Sequence, residues 1–324
     1  MRYGTVPGID KHISRIGQGC MMLSEGDGQP RSNEILDAAL ASGVNLFDHS
    51  HVYGGGSCER AFGVWLEARG NREELVILDK GCHPKGGEQR VTPEHIVEDV
   101  AGSLDRLGID SIDLWLFHRD DPSQPVGPLI ETLNELQSTG KIRAFGGSNW
   151  PHRRIAAANE YAEARGLAPM VASSPNFSLA EQVDSPWGPD CVTISGRENL
   201  EARAWYEKSG MPVFAWSSLA RGFLSGRIRR ENVEQVKGDF EEHTIRCYVT
   251  EENLERVERA ALLADERGMT IPQIALAYVL HQPMNVFALI GARSKEEANA
   301  NAQALEAALT SAELDWLDLR AETR

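Results

Sequence analysis

Short apolar runs recur along the chain, and each is followed by a stretch with helical spacing of its apolar positions. The runs predict strands over residues 13–19, 44–47, 75–78, 112–117, 142–145, 170–172, 212–216 and 286–290. Between them, helical patterns fall over 32–41, 57–68, 129–138, 199–208, 253–267, 274–281 and 295–308, with further helices opening at Thr92-Pro93 and at Pro151. Thr92 is placed to cap its helix with Pro93 in the first turn, and Ser57 to cap the helix after Gly54–Gly56. Residues 2–14 read as a hairpin turning at Pro7-Gly8. Strand and helix alternate eight times, the pattern of a parallel sheet closed into a (β/α)8 TIM barrel, here with an N-terminal hairpin. No shift in composition marks a second domain, so one domain over 1–324 is expected. The longest irregular stretch, 217–250, is longer than an ordinary strand-to-helix loop and is a candidate cofactor or substrate lid.

Composition narrows the partners. The formal net charge is −15, which argues against a nucleic acid or an anionic membrane surface as partner. Apolar runs are all too short to span a bilayer, and the first residues lack a signal-peptide pattern. The five cysteines are scattered, with no CxxC, so a reduced cytoplasmic compartment is expected and the thiols are read as ordinary. Oligomeric state is not legible.

Candidate chemistry collects where strands end, the face on which such barrels carry their active sites. Those ends supply Asp48 and Tyr53, Lys80, His118, Ser148 and Asn149, Trp216 and Arg293. A tyrosine hydroxyl is a weak acid near neutral pH, an ammonium beside it favours the phenolate, and a carboxylate holds the ammonium in place. Asp48, Lys80 and Tyr53 therefore make a sensible proton-donating relay, with a neutral His118 to orient a carbonyl oxygen. His49 and His51 alternate along the chain and could face one metal, but the last strand, VFALIGAR, offers no carboxylate to complete such a site, so no metal is expected. Gly54–Gly56 matches no phosphate-loop spacing and reads as the turn that aims Tyr53.

The motifs FDHSHVYGGG, ILDKG, DLWLFHRDD, GKIRAFGGSNW, VFAWSSLARGFLSG and LIGARSKEEANAN, in this order, resemble the signatures of the aldo-keto reductase superfamily, and the resemblance covers nearly the whole chain. It implies an NAD(P)H-dependent oxidoreductase that reduces an aldehyde or ketone to an alcohol, reversibly. Tyr53 would give the proton, Lys80 paired with Asp48 would tune it, and His118 would orient the carbonyl. For the cofactor, the resemblance implies Ser148 and Asn149 at the carboxamide, with a hydroxyl of Ser174 in place of an expected carboxamide. Trp216 would stack on the ring, and Ser217, Leu219 and Gly222 would line the pyrophosphate. Gly291, Arg293 and Ser294 would bind the 2′-phosphate, and Asn301 the adenine.

Two positions depart from the family pattern. Ser174-Pro175-Asn176 stands where a glutamine is usual, and Glu297 stands where a basic or amide side chain often helps to hold the 2′-phosphate. Arg293 favours NADP(H) and Glu297 opposes it, so NADP(H) is expected to be preferred, with NAD(H) as the alternative. His51 and Trp187 are the candidate substrate contacts, and the polar rim that includes Arg119, Asp120 and Asp121 points to a sugar-like small molecule. The alternative function is a nucleotide-binding regulatory barrel without turnover, resembling potassium-channel β subunits.

Overall fold

The computed structural model describes residues 1–324. Two strands, β1 (Tyr3–Val6) and β2 (Ile9–Ser14), form the antiparallel hairpin expected, with Val6 opposite Ile9 across the turn. Eight parallel strands follow: β3 (Ile16–Gly19), β4 (Leu46–Asp48), β5 (Val76–Gly81), β6 (Ile112–Phe117), β7 (Ile142–Ser148), β8 (Ala172–Ser174), β9 (Val213–Ala215) and β10 (Val286–Ile290). They close into a barrel in the order β10-β3-β4-β5-β6-β7-β8-β9. The chain forms two compact units, one of Met1–Ser174 with Gly291–Ala298, the other of Pro175–Ile290 with Asn299–Arg324.

In the first unit every residue of β5 and β6 is buried, which is why both read as mostly apolar runs. Outside β4, Phe47 meets Phe62 and Trp65 of the helix Ser57–Arg69 at ring separations of 5.3 and 5.7 Å. Phe117, at the end of β6, stacks on Trp150 at 4.9 Å. In the second unit Phe214 of β9 stacks on Phe287 of β10 at 4.8 Å.

Several expected boundaries move. The first barrel strand begins at Ile16, because residues 9–14 belong to the hairpin. β5 and β7 run on through Gly81 and Ser148, so Lys80 and Ser148 are strand residues, fixed by ladder bonds. Ser57 does not cap its helix: Gly56, in the left-handed conformation, stands at the cap position and Ser57 lies inside. Thr92 does cap, accepting the His95 N–H, with Pro93 in the first turn. The stretch 217–250 is not bare loop, since it holds the short helices Val233–Val236 and Glu242–Tyr248. The last helical stretch breaks after Gln303, and the helix Ser311–Leu317, capped by Thr310 and Glu313, was not foreseen.

The hairpin is tied to the strands by one buried carboxylate. Asp113 of β6 has no exposed side-chain surface; it receives Lys11 from β2 at 3.1 Å, Arg72 at 2.7 Å and the Ile77 N–H at 3.0 Å. Removing it would leave a partly buried cluster of cations unpaired, at a cost of about 3–5 kcal/mol. Asp113→Ala should therefore lower the urea midpoint by that equivalent in a reversible unfolding titration; a loss under about 1 kcal/mol would mean that the cluster is solvated instead.

Candidate active site

The first unit brings Asp48, Tyr53, Lys80 and His118 together at the ends of adjacent strands. Lys80 Nζ donates to Asp48 Oδ1 and, at 2.7 Å, to the His49 carbonyl; Lys80 and Asp48 are both buried. The ammonium lies 5.2 Å from the centre of the Tyr53 ring, and Tyr53 meets His118 edge to face at 5.8 Å. Gly54 and Gly55 adopt left-handed φ of 55° and 62°, the tight turn after Tyr53 that a side chain would resist.

Burial sets the protonation states. It opposes the Lys80 charge, but Asp48 foremost and Tyr53 after it hold the ammonium pKa above its ordinary value. Burial raises the Asp48 carboxyl, and Lys80, within salt-bridge distance, draws it back. Tyr53 is pushed up to about 12, by burial first and against the pull of Lys80. It is thus a neutral, proton-bearing phenol with a cation ready for the phenolate. Burial, then Lys80 and Arg119, hold His118 well below the ordinary imidazole range, so it is neutral too.

Which nitrogen of His118 carries the proton depends on the Ser50 hydroxyl. Nδ1 lies 2.8 Å from Ser50 Oγ. That hydroxyl accepts the Val52 N–H at 3.5 Å and donates to the Lys80 carbonyl at 3.1 Å, which also receives the His51 N–H. A hydroxyl has one proton, so Nε2 bears the hydrogen, as a donor to a carbonyl oxygen requires, when Ser50 turns that proton from the Lys80 carbonyl to Nδ1.

The sequence did not single out several of these neighbours. Besides Ser50, His83 lies 4.8 Å from His118 ring to ring, and Asp99 binds His51 Nδ1 at 3.2 Å, Arg90 at 2.5 Å and the Cys82 N–H at 2.7 Å. The other His51 nitrogen accepts the His83 N–H at 3.4 Å. His51 thus braces the turn at Cys82, whose φ is 59°. His49 is fully buried against Phe62 at 4.4 Å.

The expected cofactor residues of this unit lie in two places. Ser148 Oγ donates to the Ser174 carbonyl at 2.9 Å, and Asn149, at a left-handed φ of 57°, donates from Nδ2 to the His118 carbonyl at 3.1 Å. At Gly291–Ser294, a Cβ on Gly291 would meet Met22 at 2.4 Å, and Arg293 is exposed. The Glu297 carboxylate accepts the Arg293 N–H at 2.8 Å, Ser294 Oγ accepts the Glu297 N–H at 3.2 Å, and Arg31 donates to the Arg293 carbonyl.

Within the second unit Trp216 is half-buried, its ring 5.4 Å from that of Trp187, and Arg221 lies 4.6 Å over Trp187. Ser217, Ala220, Arg221 and Gly222 all take left-handed φ, so the backbone curls tightly there; Leu219 leads into that turn. Asn301 lies on the helix Lys295–Gln303. The Asn176 carboxamide is engaged with the Trp216 carbonyl, Tyr248 Oη and Thr193 Oγ1.

The sequence model described as the Aldo/keto reductase family matches residues 15–319. This chain belongs to the aldo/keto reductase family. It is 29% identical over 311 residues to aldo-keto reductase YhdN of Bacillus subtilis (strain 168), covering 93% of this chain and 87% of that protein. It is similar also to the solved structure of glycerol dehydrogenase AKR11B4 from Gluconobacter oxydans, with a TM-score of 0.76, 25% identity, and coverage of 98% of this chain and 94% of that one. The family makes the chain an oxidoreductase of carbonyl reduction, with a nicotinamide cofactor. No helix is long and apolar enough to cross a membrane.

Buried histidines make this reductase acid-sensitive. His49 has its pKa lowered to about 3 by burial and then by Lys80, whereas in the unfolded chain it titrates near 6.5. Below about pH 6.5 the unfolded chain therefore binds a proton that the folded site refuses, and stability falls by about 1.4 kcal/mol per pH unit for each such histidine. His49→Leu should flatten the decline of unfolding free energy between pH 6 and about 4 by roughly one proton. An unchanged slope in urea titrations across that window would show that His49 is not a source of it.

Proposed function

We propose that this chain is an NADP(H)-preferring reductase of small, hydroxylated aldehydes or ketones, with Tyr53 as proton donor. The reading rests on one observation above all: a buried Lys80 held between Asp48 and Tyr53, with neutral His118 alongside. The cofactor, when bound, supplies hydride to the carbonyl carbon. Tyr53 gives its proton to the carbonyl oxygen, and the phenolate that results is stabilised by the Lys80 ammonium, which Asp48 keeps charged and in place. His118 donates from Nε2 to the same oxygen and so fixes the carbonyl before transfer.

The donor set suits a nicotinamide nucleotide. Ser148 and Asn149 present amide and hydroxyl groups beside the His118 carbonyl, Trp216 offers an aromatic face, and the curled backbone at Ser217–Gly222 suits a pyrophosphate. The exposed Arg293 supplies a cation for the 2′-phosphate, while Glu297 is turned back onto the Arg293 N–H. All five cysteines are free thiols, which suits a reduced cytoplasm. The Gluconobacter relative is a glycerol dehydrogenase, so glyceraldehyde and glycerol are the first substrates to assay.

Tyr53→Phe should cut carbonyl reduction by roughly a hundred- to ten-thousandfold while NADPH still quenches tryptophan fluorescence as in the parent. Retained turnover would remove Tyr53 as donor; NADPH binding without turnover of any carbonyl by the parent would favour the regulatory-barrel reading. Arg293→Ala should raise KM for NADPH by about tenfold and leave KM for NADH nearly unchanged. Equal changes would mean that Arg293 does not read the 2′-phosphate.

A further inference from the structure

Arg119, directly after His118, is 4% exposed. An arginine keeps its charge under all ordinary conditions, and a buried guanidinium is almost always paired with a carboxylate. This one is not. Its single hydrogen bond runs from Nη1 to the His118 carbonyl at 2.9 Å, and no carboxylate lies within ion-pair distance. The two acids that follow it in sequence are committed elsewhere. Asp120 pairs through Oδ1 with Arg154 at 3.3 Å, its Oδ2 buried without a partner and beyond ion-pair distance of Arg119, and Asp121 accepts from the backbone N–H and the hydroxyl of Ser123 at 3.0 and 2.6 Å. Nε and Nη2 of Arg119 make no hydrogen bond, yet neither is sealed from solvent-sized space. The charge is felt instead by the catalytic groups, Tyr53 and His118.

The backbone around Arg119 holds it there. Its carbonyl accepts the indole N–H of the fully buried Trp150 at 3.0 Å, and Asn149 Nδ2 shares the His118 carbonyl with it. A fixed cation with open donors and no counter-charge, tied to the His118 carbonyl, is an incomplete ion pair.

We propose that the substrate completes it: the carbonyl compound this enzyme reduces carries an anionic oxygen group, a carboxylate or a phosphate, close to the reacting carbonyl, and Arg119 binds that group. The inference rests on the reductase reading and narrows its substrate class. Planar guanidinium donors match carboxylate and phosphate oxygens in pairs, so the contact orients the substrate as well as attracting it. The anion passes through the reaction unchanged, so its effect belongs mainly in KM, with a further effect on kcat where it aligns the carbonyl beneath Tyr53 and His118.

The test compares aldehydes that differ only in the anion: succinic semialdehyde against butanal, and glyceraldehyde 3-phosphate against glyceraldehyde, each with saturating NADPH. For the parent enzyme kcat/KM should favour at least one anionic member over its neutral partner by about tenfold or more. Which pair shows the larger ratio tells carboxylate from phosphate. Arg119→Gln should collapse that ratio towards one, and Arg119→Lys, which keeps the charge but loses the fork, should keep part of it. A parent ratio near one in both pairs overturns the proposal, as does a ratio that survives in Arg119→Gln. Loss of NADPH affinity in Arg119→Gln with an unchanged ratio would assign the guanidinium to the cofactor instead, and also overturns it. A separate readout needs no turnover: calorimetric binding of oxamate, an unreactive carboxylate, to the NADPH-loaded enzyme should be present in the parent and lost in Arg119→Gln. If no aldehyde is reduced but oxamate binds through Arg119, the anion site stands and the reductase reading falls. If aldehydes are reduced without anion preference and oxamate does not bind, the reverse holds.

Discussion

A lysine ammonium buried beside a carboxylate is the contact on which the rest of the first unit depends. Lys80 and Asp48 come from neighbouring strands, and each would be costly to bury alone. A second donor contact of Lys80, to the His49 carbonyl, fixes the ammonium further. A buried pair of this kind contributes little to stability compared with apolar packing of the same volume. What it supplies is a permanent positive charge at a fixed distance from Tyr53. That charge is worth far more in a water-poor site than in solvent, because the surrounding protein screens it weakly.

The neighbouring groups are arranged around that cation. Two histidines next to it are neutral, His118 packed edge to face on Tyr53 and His49 against Phe62. Ser50 joins the two requirements, since its hydroxyl spans from the Lys80 carbonyl to the His118 ring. The strained positions cluster in the same region: Cys82 and Asn149, both at left-handed φ, follow β5 and β7 directly. His51, Asp99 and Arg90 hold the first of these turns, and the Ser174 carbonyl, which accepts the Asn149 N–H, holds the second. Arg119 adds a second buried cation, left without a protein counter-charge.

Much of this was legible in the chain. Strand-helix alternation is enough to imply the barrel, since most strands carry a short apolar run and each connection holds a helix. Asp48, Lys80 and His118 stand where those runs end, and the turn glycines after Tyr53 mark its position. The residues that were harder to read are those whose role depends on a partner distant in sequence. Ser50 looks like a loop serine until His118, 68 residues on, is brought to it. Asp99 lies on a helix and reads as a solvated charge, yet it is buried against His51 and Arg90. Arg119 looks like one more charge in a polar rim, because sequence cannot show that Asp120 and Asp121 are already engaged. The same holds for Ser57, a good capping residue in isolation that the preceding left-handed glycine displaces.

The central claim is that Asp48 acts through Lys80, and Lys80 through Tyr53, as one unit. It is tested most directly by a double-mutant cycle on kcat/KM for glyceraldehyde reduction, using Asp48→Asn, Lys80→Met and the double variant. If the relay is a unit, the two losses overlap, and the double variant is no slower than Lys80→Met alone. Losses that multiply, so that the double variant falls by the product of the two single effects, would show that the carboxylate and the ammonium act independently and would contradict the account.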